Sequence, residues 1–166
     1  HDCRLGLAYD GKAKAREGKE YEFIHTLDAL AQLASGVGSP HVGLVLDSFH
    51  LYASGGALEE ISKLGPEQVV AVLVNDATEG VALEELSAED RLLPGATGAI
   101  NAVDFVKELH KIDYEGPVTL DPSSRQARQM SREQAARKAG EAIEQLWKDG
   151  ELVPVEPEEA TANLES

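Results

Sequence analysis

The stretch VGLVLDSFHLY, residues 42–52, decides how this chain is read. Val42 to Leu46 is a continuous apolar run of strand length, and such runs suit strands covered on both faces of a parallel sheet. The run ends in Asp47 and, three residues on, His50. A carboxylate and an imidazole just past the C-terminal end of a strand can face one cleft and hold a metal or a substrate. Asp47 before Ser48 is equally a turn or helix-cap pair, and His50 beside Phe49, Leu51 and Tyr52 is equally a packing residue. The choice depends on what the other strands bring to the same place.

Three more runs read as strands: Arg4 to Tyr9, Val69 to Val74 and Pro117 to Leu120. Helical stretches lie between them. Thr26 can cap LDALAQLA, with Gly36 near its end, and Leu58, Ile61 and Leu64 space a short amphipathic helix. Asn101 can cap AVDFVKELHK, where Val103, Phe105, Val106 and Leu109 form one stripe. Ser131 with Gln134 makes a capping box for the longest helix, seated through Ile143, Leu146 and Trp147 and stopped near Gly150.

Alternating strands and helices specify an α/β fold with a parallel sheet, open or closed as a barrel. An open nucleotide-binding sheet needs a glycine-rich turn after an early strand, and DGKAKAREGKE after Tyr9 has none. The barrel survives better. A full TIM (β/α)8 barrel needs about 250 residues, so four βα units over residues 1–150 are half of one. Four strands leave two open edges and an apolar inner face, so completion by a second copy or a partner half-barrel is expected. Residues 151–166, with five acids, no bases and two prolines, read as an acidic C-terminal tail. The chain opens His1-Asp2-Cys3 without Met, which raises the expectation of further residues upstream.

Composition narrows the partners. With 27% charged and 42% hydrophobic residues, the chain has the balance of an ordinary globular protein. A formal charge of -15 opposes a nucleic-acid backbone or an anionic membrane surface as partner. No apolar run approaches the roughly 20 residues of a membrane span. Cys3 is alone, so it forms no internal disulfide and no cysteine metal site, in keeping with a cytoplasmic location.

Polar groups collect at the predicted strand ends: Ala8 after the first, Asp47 with His50, Asn75 with Asp76, and Asp121. The Asn75-Asp76 and Asp121-Pro122 pairs are also common turn signals. Arg91 is the single base between Val69 and Val106, beside the glycine-bearing loop LLPGATGAIN, and is a candidate for binding an anionic or polyhydroxylated substrate. Nucleophilic catalysis lacks support, because no serine sits in G-x-S-x-G.

VGLVLDSFHLY, VVAVLVNDA (69–77), DRLLPGATGAIN (90–101) and YEGPVTLDP (114–122) together resemble the C-terminal half of the sugar phosphate isomerase/epimerase family. These are xylose isomerase-like TIM barrels, in a superfamily that also holds endonuclease IV-type enzymes. The resemblance runs from about Arg4 to Trp147 and implies strands five to eight of the family fold. It also implies a divalent cation, Mn²⁺ or Mg²⁺, held by Glu, Asp, His and Glu at those strand ends. Two glutamates then move a proton between neighbouring carbons of a sugar-like substrate.

Carried over by position, the resemblance makes Asp47 the aspartate ligand and His50 the substrate-binding histidine. Asp121 stands where the last glutamate, ligand and proton shuttle, is expected. Ala8 stands in place of the first glutamate, and Leu73 in place of the histidine ligand. Neither can donate to a cation. The expected function is therefore an isomerase/epimerase-like domain for a small polyhydroxylated substrate, with a degraded metal site. The alternative is an inactive half-barrel acting as a folding or assembly module, and a DNA-repair role ranks last because of the negative charge.

Overall fold

The computed structural model describes residues 3–152. Its frame is a four-stranded sheet of β1 (Leu5–Leu7), β2 (Val42–Asp47), β3 (Val69–Leu73) and β6 (Val118–Thr119), in the order β1-β2-β3-β6. All neighbouring strands pair in parallel. Each connection carries helical structure, as parallel neighbours require. Between β3 and β6 lies a small antiparallel pair, β4 (Asp76–Ala77) with β5 (Arg91–Leu92). Sequence patterning did not anticipate it, because two-residue strands are too short to carry a period.

The helices form where the caps say they do. Helix α1 (Leu27–Val37) starts with the Thr26 hydroxyl accepting from Ala29 N, and α3 (Ala102–Lys111) with the Asn101 side chain accepting from Asp104 N. Between them in sequence, the six-residue α2 (Ser48–Ala53) follows β2 directly. The short α4 (Arg125–Gln129) leads into α5 (Arg132–Asp149), which opens on the Ser131–Gln134 capping box. Helix α1 has Gly36 near its end, as expected, and is capped by Gly38, whose φ of 66° suits the left-handed conformation that glycine adopts without strain. Leu58–Lys63 winds as a 3-10 turn, not an α-helix, although Ile61 is fully buried as its spacing required.

Alternation along the strands decides which face meets the helices. Leu44 and Leu46 of β2, with Val72 and Val74 at β3, are buried against Leu27 and Leu30 of α1, Phe105, Val106 and Leu109 of α3, and Leu146 of α5. Each such side chain contributes roughly 1.5–3 kcal/mol by leaving water. The opposite face is different: Val45, Ala71 and Leu73 are only half-buried. Leu152 folds back against the main core, while the acidic tail beyond it lies outside the described residues. Among the described residues no helix is long and apolar enough to cross a membrane.

Candidate functional site

Asp47 is the pivot, and it does two jobs at once. Its Oδ1 caps α2, accepting from Phe49 N at 2.9 Å and His50 N at 3.4 Å. Its Oδ2 takes the Arg91 guanidinium in a buried ion pair. Capping and site chemistry were alternatives in the sequence, yet one carboxylate has lone pairs enough for both. Arg91 reaches it because β5 pairs with β4, which directly follows the end of β3. The guanidinium lies over the Phe49 ring, 5.5 Å from its centroid. Arg91 Nε stands 3.7 Å from Asp121 Oδ2, on a side chain 60% exposed. The Arg91 carbonyl accepts from Ser123 N and Ser124 N, which ties the loop after β6 to the same point.

His50 sits on the first turn of α2, with its Nε2 3.9 Å from Asp47 Oδ2. Its Nδ1 accepts a hydrogen bond from Gly11 N at 3.2 Å, which leaves the proton of a neutral ring on Nε2. Burial pushes the imidazole below its usual range, against the opposing pull of Asp47 and Asp10. Neutral histidine is therefore the resting form at neutral pH. Gly11 can approach this closely only because it lacks a Cβ, which would overlap the His50 carbonyl oxygen. Tyr9, buried beside His50, has its phenol pushed up to about 12, chiefly by burial. Asp10 is exposed; the partial loss of water around it raises its carboxyl, but hydrogen bonds from Lys12 outweigh that and hold it below the usual range.

Asn75 and Asp76, both fully buried, build the floor and the loop. Ser48 clamps the end of β3 by accepting from Asn75 N at 2.8 Å and donating to Asn75 O at 2.9 Å. Asn75 Oδ1 accepts from Asp121 N at 3.1 Å, which sets the start of the loop after β6. Asn75 Nδ2 and Arg91 Nε are buried without a hydrogen-bond partner among the described residues. Asp76 accepts four backbone N–H groups, from Ala77, Thr97, Gly98 and Ile100, at 2.8–2.9 Å. It holds the glycine-bearing loop in place.

The structure thus gathers Asp47, His50, Arg91 and Asp121 from the ends of β2 and β6 and from β5. Sequence reasoning named all four. It gave no role to Tyr9, Asp10, Gly11, Ser48 or Phe49, which back them. The signal within reach was position: Tyr9-Asp10-Gly11 follows β1 immediately, at the same end of the sheet. Ala8 is exposed at the end of β1 and Leu73 half-buried at the end of β3, where no donor side chain is offered. Among the described residues no three or more His, Cys, Asp or Glu side chains are grouped to hold a metal ion. A cavity of ≈ 690 Å³ lies elsewhere, between the 93–103 loop and α5, lined by Pro94, Ile100, Val103 and Leu146 among others.

Comparison with known proteins follows the same residues. The profile of the xylose isomerase-like TIM barrel matches residues 16–146. An inosose isomerase of Halalkalibacterium halodurans is 31% identical over 116 residues, 70% of this chain and 40% of that protein. The inosose isomerase of Bacillus velezensis is 27% identical over 73% of this chain and 42% of its own length. Among solved structures, a xylose isomerase domain protein from Alicyclobacillus acidocaldarius superposes with a TM-score of 0.78 at 32% identity, covering 89% of this chain and 52% of that one. A zinc-bound IolI protein shares the fold, with a TM-score of 0.77 at 22% identity over 88% of this chain and 49% of that one. The chain therefore spans less than half the length of these curated relatives and about half that of the solved ones. With parallel strands in sequential order and polar groups gathered at their C-terminal ends, the chain belongs to the xylose isomerase-like TIM-barrel family.

Proposed function

We propose that this chain is the ligand-holding half of an isomerase/epimerase-type barrel, binding a small polyhydroxylated carbonyl compound at the Asp47–His50–Arg91–Asp121 cleft. The observation that carries the reading is the convergence of those four side chains at one end of the sheet. His50 offers Nε2–H to a ligand oxygen, because Gly11 N occupies its other nitrogen. Arg91, always charged, orients an oxygen-rich ligand from the opposite side. Asp121 is the exposed carboxylate able to exchange a proton with it.

The two-carboxylate proton relay implied by the resemblance lacks its first member at Ala8. Binding without turnover is what these residues support. The relatives named as inosose isomerases suggest the probe. Calorimetric titration with inosose is expected to show binding to the wild-type chain and about tenfold weaker binding to His50→Ala, the loss of one well-placed hydrogen bond. The variant's melting temperature should fall by a few degrees, because Gly11 N loses its acceptor, so the titrations are run well below it. Absence of heat in the wild type, or equal affinity in the variant, would overturn the reading.

A second reading, compatible with the first, concerns assembly. Among the described residues, strands β1 and β6 each pair on one side only, leaving two parallel edges. Val45, Ala71 and Leu73 remain half-buried on the inner face, and Leu5 at the β1 edge is 60% exposed. Edges and apolar faces of this kind call for cover. A second copy, or a partner supplying the other strands, closes the barrel over the cleft. Sedimentation equilibrium of the purified chain is expected to give a mass at least twice 17.8 kDa. A folded monomer at every concentration would argue for a partner of different sequence and against self-assembly.

A further inference from the structure

We infer that Arg91 is the permanent cation of this site, and that the site works with no divalent metal. The inference rests on the cleft being the ligand site, but the metal test below stands apart from any ligand. A divalent cation needs several oxygen or nitrogen lone pairs converging on one point, usually six for Mg²⁺ or Mn²⁺ and several of them from the protein. The buried acceptor atoms at these strand ends are each already hydrogen-bonded. Asp47 Oδ1 accepts from Phe49 N and His50 N, and Asp47 Oδ2 holds Arg91. His50 Nδ1 accepts from Gly11 N, so its Nε2 carries a proton. Asn75 Oδ1 accepts from Asp121 N.

What remains unused and buried is the opposite kind of atom. Asn75 Nδ2 and Arg91 Nε are both N–H donors without partners among the described residues. With its buried acceptors engaged, two buried donors unpaired and Asp121 the one exposed carboxylate, the cleft favours a ligand's oxygen over a cation. The positions at Ala8 and Leu73 deepen the mismatch, since an exposed methyl and a half-buried isobutyl group stand where donors would have to be. Arg91 meets the electrostatic need that a metal would otherwise meet. It is 7% exposed, lies over Phe49, and neutralises an Asp47 that is 6% exposed.

Two measurements on the full chain test this. In the first, Mn²⁺ is titrated up to about 1 mM, the weak limit of protein sites for such ions, and free ion is followed by electron paramagnetic resonance. Expected is either no saturable binding or binding unchanged in Asp47→Asn, the acidic surface accounting for the latter. Saturable binding that Asp47→Asn abolishes would overturn the inference. The second is a double-mutant cycle read by thermal melting. Arg91→Met alone should lower the melting temperature by on the order of 10 °C, because it strands a buried carboxylate. Arg91→Met with Asp47→Asn should recover part of that loss, and Arg91→Lys should lose less than Arg91→Met. Additive effects of the two changes would mean that Arg91 is not the counter-charge of Asp47.

Discussion

Asp76→Ala is expected to destabilise the protein by about 4 kcal/mol and to lower its melting temperature by roughly 10 °C. Asp76 is fully buried, and its two oxygens accept the N–H groups of Ala77, Thr97, Gly98 and Ile100. Removing the carboxylate leaves four backbone donors without this partner, two of them, on Ala77 and Ile100, in buried residues. The cost of an unmade bond exceeds the gain of a made one, so the loss is large. Asp76→Asn keeps one acceptor oxygen and should lose about half as much. Hydrogen exchange localises the effect: amides at 97–100 should exchange faster while those of β2 and β3 hardly change. A melting temperature within about 2 °C of the wild type would show that the loop has another anchor.

Phe49→Ala carries the second large effect, about 3–5 kcal/mol from the cavity and the lost burial of an aromatic ring. Phe49 is fully buried in a small cluster with Ala53, Ala77, Leu86 and Ile100, apart from the main core. The same ring lies beneath Arg91 and meets the His50 ring edge-on at 5.9 Å. Its removal takes the floor from His50 and Arg91, the two groups proposed to face the ligand. Inosose affinity should therefore fall along with stability. Phe49→Leu, which keeps much of the volume, should cost only about 1 kcal/mol in urea unfolding and yet still weaken the ligand, since the cation–π contact to Arg91 goes with the ring. If Phe49→Leu left affinity untouched, the ring's role beneath Arg91 would be disproved and only its bulk would matter.

The strands and main helices were legible because their signals are local. Continuous Val and Leu runs marked β1, β2, β3 and β6, and Thr26, Asn101 and Ser131 each cap the helix they were expected to cap. What the sequence left open is equally local in cause. Gly36 and Gly38 both offer a stop, and only the backbone conformation at Gly38 distinguishes them. The apolar runs implied cover on both faces. The structure has helices on one face and half-buried Val45, Ala71 and Leu73 on the other, because continuous hydrophobicity says that a surface wants cover without saying where the cover comes from.

The site divides along the same line. Asp47, His50, Arg91 and Asp121 could be named from position at strand ends and from family resemblance, and so could the missing donors at Ala8 and Leu73. Their pairing could not. Arg91 is 44 residues from Asp47 in sequence, and only the β4–β5 pairing brings its guanidinium to that carboxylate. Gly11 is 39 residues from the ring nitrogen it occupies. Residue types and periodicity by themselves determined a parallel α/β sheet, its helix caps and which side chains stand at its C-terminal ends. The tertiary structure decided which lone pairs those side chains have left, because hydrogen bonds between residues distant in sequence consume them and nothing local records that.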